Sequence, residues 1–161
     1  MNLSFITDNS LNLAMGAGIL SILYGLFLAF SILQKPRGDE KMNEIADAIR
    51  EGATAFMKRQ YSVVALIGAL IFAILYFLLS PLTALGFGVG AIFSALAGIV
   101  GMSVSVRANI RTAQAAREGL SGAFSLAFKG GAVTGLMVGG LALLSVAGFF
   151  FFMTRFVPTG A

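Results

Sequence analysis

The sequence contains neither cysteine nor histidine. The first absence excludes a disulfide framework and thiolate chemistry. The second excludes an imidazole general base or metal ligand within this chain. Charge is scarce as well. Only 11% of the 161 residues are Asp, Glu, Lys or Arg, whereas a soluble domain carries about 25%. Hydrophobic residues make up 58%, and the mean hydropathy is +0.91. Such a chain cannot keep its surface wet, so it reads as an integral membrane protein of all-α class.

Charge is missing altogether from three stretches: Asn9–Gln34 with 26 residues, Gln60–Val106 with 47, and Gly130–Thr154 with 25. One helical crossing of the hydrocarbon core takes about 20 apolar residues. The outer stretches therefore hold one span each. The middle stretch holds two, broken at Ser80-Pro81-Leu82-Thr83, where Pro81 removes a backbone donor and restricts the residue before it. The expected spans are 11–33, 60–80, 83–106 and 130–154, joined by charged loops at 34–59 and 107–129. The start does not read as a signal peptide. Its first ten residues hold Asp8 and no Lys or Arg, and the apolar stretch is too long.

Because no Asp, Glu, Lys or Arg lies inside a span, these four helices cannot form a conventional proton relay. Eleven of the 18 charges lie between Lys35 and Arg59, and five between Arg107 and Lys129. The first loop carries six basic residues and the second four, while the opposite side has only Arg155. The positive-inside rule then places both loops in the cytoplasm and both termini outside the cell membrane.

The loops themselves carry helical patterns. Met42, Ile45, Ile49, Ala53 and Phe56 recur at spacings of three and four. With no proline after them, a single helix is expected from Glu40 to Leu79, roughly 60 Å long. The third span should likewise run on through SVRANIRTAQAARE and stop at Gly119. The two extensions can then pack on each other. On the first of them, Glu40, Glu44, Asp47 and Glu51 form an acidic stripe whose members repel. Arg111 and Arg117 are the expected partners. Carboxylates on one face could also hold Mg²⁺ with water, but a solvated face is the simpler reading.

Small residues recur four apart at Ala17, Ser21, Gly25 and Ala29. They do so again at Gly86, Gly90, Ser94 and Gly98, and at Ala123, Ala127, Gly131, Gly135 and Gly139. Such stripes let helix backbones approach closely in lipid. Phe128–Gly135, FKGGAVTG, resembles a phosphate-cradling glycine loop only superficially. The lysine precedes the glycines, and no strand leads into them. Lys129 reads instead as an interface anchor.

Two segments carry a family resemblance. Ile49–Tyr61, IREGATAFMKRQY, and Gly101–Gly140, which contains ANIRTAQAAR and FKGGAVTG, resemble the membrane-bound pyrophosphatases. That resemblance implies an ion pump driven by inorganic pyrophosphate, working with Mg²⁺ and as a homodimer, and moving H⁺ or Na⁺ outward. It implies many more spans than four. Asp- and Lys-rich substrate motifs such as DVGADLVGKVE would lie in later helices and are not found here. The chain is accordingly expected to be the N-terminal portion of such a pump, packed on the remaining C-terminal helices. No catalytic, cofactor-binding or metal-ligating residue is assigned within it, and no nucleic-acid partner is expected. The alternative is a small non-enzymatic four-helix interaction subunit or scaffold.

Overall fold

A computed structural model describes residues 3–156, with side chains described from residue 9 onward. The two ends that the charge rule places outside the membrane lie in part beyond these residues. The described chain forms four helices: α1 Leu3–Leu33, α2 Glu40–Leu78, α3 Pro81–Ala116 and α4 Leu120–Phe156. All four are long and apolar enough to cross a membrane. The fold is an all-α, multi-span architecture in which helices extend past the hydrophobic stretches.

Local chemistry sets the helix ends. Gly38, with φ +86°, turns the chain after α1 in a conformation that other residues resist. Asp39 then caps α2, its carboxylate accepting from the Met42 N–H at 2.9 Å. Ser80 caps α3 in the same way through Thr83, and Pro81 occupies the first helical turn, where its missing N–H has no cost. Past α3, Gly119 adopts φ +149° and opens the turn into α4. α3 itself ends at Ala116 with Arg117 as C-cap, slightly before the expected stop.

One boundary differs substantially. α3 runs on past residue 106 as expected, but α4 begins at Leu120, ten residues before the expected span, so the loop at 107–129 is mostly helix. The reason lies in spacing. Ala123, Leu126, Gly130 and Val133 follow at three, four and three, and all are buried. A helix that starts at the turn keeps them on one seam. The same continuity makes Phe128–Gly135 an uninterrupted helix, so it cannot form a phosphate-cradling loop.

α4 is the centre of the packing. It lies against both α1 and α3, while α2 packs on α3 alone. The core sits towards the charged end, around Ile32, Val104, Ala108, Val133 and Met137. The stripes of small residues serve this packing only in part. Gly25, Ala29 and Ala123 are buried, but Gly131, Gly135 and Gly139 face open space. The observed seam of α4 runs Ala123, Leu126, Gly130, Val133, Met137, Gly140 and Ala147. That of α3 runs Ala97, Gly101, Val104, Ala108 and Arg111. Both alternate three and four, which averages 3.5 residues per step and stays on one side of a helix. Four-residue steps advance about 40° beyond a full turn each time and wind off the seam.

Candidate functional site at the charged end

The connector at residues 34–39 and the turn at 117–119 meet at one end of the bundle. Arg117 Nη2 lies 2.7 Å from Asp39 Oδ2 and ties the two together. Asp39 thus caps α2 and pairs across the connection at once. The Met42 N–H, and after it the Arg117 guanidinium, hold its carboxyl below the usual carboxylate range.

Arg111 holds the same junction from inside. It is the buried charged residue among those described, 9% exposed. Its Nη2 donates to the Leu33 carbonyl at 2.9 Å and its Nε to the Lys35 carbonyl at 3.1 Å. Both carbonyls lie at the C-terminal end of α1, where helix carbonyls have no intrahelical donor and favour a cation. Nη1 donates to the Arg107 carbonyl at 2.6 Å. Arg111 is therefore a latch between α3 and α1.

The expected pairing of the acidic stripe with Arg111 or Arg117 does not occur. Asp47 Oδ1 accepts from Arg37 Nη2 at 2.7 Å and lies 3.5 Å from Arg50 Nη2. Arg117 goes to Asp39, outside the stripe. Among the described residues, Glu40, Glu44 and Glu51 make no ion pair within 4 Å. The connector explains the difference. It is short, so it carries Arg37 over α2 and leaves Asp39 beside the next turn, while Arg111 points inward to α1. The expected packing between the extensions is also incomplete. Ile45 and Ile49 remain more than half exposed, and an apolar groove of about 340 Å³ separates them from Val106, Ile110 and Ala113.

Two clefts flank the latch. One, of about 410 Å³, is lined by Arg37, Asp47, Arg50, Arg107 and Arg111 with Leu33, Val106 and Ile110. The other, of about 310 Å³, includes Lys35, Gln114, Glu118 and Lys129. Gln114 Oε1 is buried without a hydrogen-bond partner. The two best-placed carboxylates are spent on arginines, and no three acidic groups converge among the described residues. Binding and helix packing are what this arrangement supports.

Sequence reasoning missed the role of Arg111. The signal was present, because Arg111 continues the spacing of Ala97, Gly101, Val104 and Ala108 and so belongs to the buried seam.

Fold and site together define a multi-span helical membrane protein with its charge gathered at one end of the bundle. The family description for inorganic H⁺ pyrophosphatase matches residues 19–160, and the chain belongs to that family. A K⁺-insensitive pyrophosphate-energized proton pump of Methanosarcina mazei is 52% identical over 133 residues, which cover 81% of this chain and 20% of the relative. A protein of the same description, numbered 2, from Moorella thermoacetica is 48% identical over 136 residues, 83% of this chain and 20% of the relative. A K⁺-stimulated pyrophosphate-energized sodium pump of Thermotoga maritima is 40% identical over 118 residues, 72% of this chain and 16% of the relative. The chain spans about a fifth of the length of the relatives that it matches first.

Proposed function

We propose that this chain forms the N-terminal helices of a pyrophosphate-energised ion pump, which couples hydrolysis of inorganic diphosphate to outward movement of H⁺ or Na⁺. The observation that carries this reading is the family match over residues 19–160. In this reading the four helices are structural. They pack beside the helices that hold the substrate and Mg²⁺, and the complete pump is a homodimer in the cell membrane. Support for a structural role comes from the chemistry of the spans, which carry no Asp, Glu, Lys or Arg between Gln60 and Val106 or between Gly130 and Thr154. Relatives of both ion types share substantial identity with the chain, so the pumped ion is left as H⁺ or Na⁺. The charged end faces the cytoplasm, as ten basic residues there against one elsewhere suggest.

Activity tests the first part. The 161-residue chain alone should insert in membranes without hydrolysing pyrophosphate, and the complete polypeptide should hydrolyse it with Mg²⁺. Hydrolysis by the short chain would overturn the structural role. Inactivity of the complete protein would overturn the pump reading. Orientation has its own test, made simple by the absence of cysteine. A Glu44→Cys protein should react with an impermeant maleimide only after the membrane is opened, and Arg155→Cys should react in intact cells. The reverse pattern would invert the topology.

A further inference from the structure

The larger cleft at the charged end gathers more positive charge than the chain neutralises. Arg37, Arg50, Arg107 and Arg111 line it, and Asp47 is the one carboxylate among the lining residues. Arg37 and Arg50 share that carboxylate, at 2.7 and 3.5 Å. The partners found for Arg107 and Arg111 are carbonyl oxygens, which satisfy N–H groups but cancel no charge. Four guanidiniums set against one carboxylate leave a net of three positive charges around a space of about 410 Å³.

The cleft has a second character. Leu33, Val106 and Ile110 supply an apolar wall. Val106 is the last residue of the long uncharged stretch, and Arg107 is the first charge after it. The cleft therefore opens at the depth where hydrocarbon gives way to headgroups. α1 and α2 do not pack on each other, so the space between them along α3 is open to a chain entering from the bilayer.

We propose that this cleft binds a phosphate group held by the arginine side chains. Guanidinium forks match phosphate oxygens in charge and in geometry. Two sources offer that chemistry here, the headgroup of an anionic phospholipid and free inorganic phosphate. The apolar wall and the depth of the site favour the lipid, since basic pockets between helices at the membrane surface take anionic headgroups. Arg50 and Arg107 are exposed, and among the described residues their ion pair and hydrogen bond go to Asp47 and the Ser103 carbonyl rather than to α1, so they can be changed without breaking the Arg111 latch. The inference rests on the membrane-spanning fold and not on pyrophosphate hydrolysis, so either can fail while the other stands.

The test uses the protein produced at full length from its own gene and extracted in a mild neutral detergent. Native mass spectrometry in mixed micelles of phosphatidylglycerol and phosphatidylcholine reads the retained lipid. Phosphatidylglycerol should be retained in preference, and R50Q/R107Q should lower its retention by about tenfold or more. R50K/R107K should keep most of it, because the charge remains, and R155Q at the far end should change nothing. In a second arm, inorganic phosphate is added to delipidated protein and thermal unfolding is followed. A saturable stabilisation that R50Q/R107Q abolishes would assign the site to free phosphate. The proposal is overturned if R50Q/R107Q alters neither lipid retention nor the phosphate response while its unfolding temperature matches the parent. It is also overturned if a structure of the whole protein shows an acidic side chain from another helix seated among these arginines.

Discussion

α4 and α2 are nearly the same length, at 37 and 39 residues, and both are long enough to cross a membrane. Their surroundings are opposite. α4 buries a seam along most of its length, while α2 buries none of its residues. Apolar character does not separate them, because lipid is as apolar as leucine. Residue size does. α4 places Gly130 against Ala108 and Gly140 against the Gly18 backbone. α2 presents large side chains such as Leu66 and Phe77, 74% and 82% exposed. On the faces that carry such side chains α2 offers no close backbone approach, which in lipid is the main source of association. The exposed faces of α2 suit lipid or further helices.

The comparison can be broken most forcefully at Gly140. A Cβ there would lie 2.8 Å from the Gly18 carbonyl oxygen and 2.8 Å from Ile22 Cγ1. Gly140→Leu should force α1 off α4 and cost about 3 kcal/mol, read by reversible unfolding in mixed detergent micelles. Gly139→Ala, one residue away and facing open space, should be neutral or slightly stabilising through helix propensity. Equal effects at the two positions would mean that the α1–α4 seam is wrongly placed.

Arg111→Met should come next. It keeps the bulk but leaves the Leu33 and Lys35 carbonyls without their donor, a loss of about 2 kcal/mol. Arg111→Lys should not restore it, since an ammonium cannot span both carbonyls with the fixed fork of a guanidinium. Full recovery by lysine would show that charge alone matters at the end of α1.

A smaller effect is expected from Asp39, and it depends on pH. Its carboxyl is held below the usual range in the folded protein. The unfolded chain therefore takes up the proton first as pH falls. Asp39 stabilises the fold above the ordinary carboxylate range, and that contribution is lost as pH drops through the folded value. Asp39→Asn should flatten the acid side of a plot of melting temperature against pH. An unchanged acid slope would remove Asp39 from the account.

The smallest effect belongs to α2. Leu66→Ala, at a side chain 74% exposed, should shift stability of the isolated chain by less than about 0.5 kcal/mol. A much larger loss there would show that α2 is packed and would dissolve the contrast with α4.

The sequence by itself determined the compartment, the number of spans and the break between the second and third. Charge deserts and Pro81 are features of contiguous chain, so they can be read locally. It also carried the family, through Ile49–Tyr61 and Gly101–Gly140. Tertiary structure alone decided which small residues meet. A line of glycines four apart reads as a stripe in sequence but winds around the helix, and Gly131, Gly135 and Gly139 end up on its open side. Tertiary structure also chose the partners of the charges. Arg111 reaches the carbonyls of Lys35 and Leu33 across 76 and 78 residues of sequence. No spacing rule covers that distance. It depends on how deep each helix sits and which way its seam is turned, and those are fixed only when α1 and α3 close on α4.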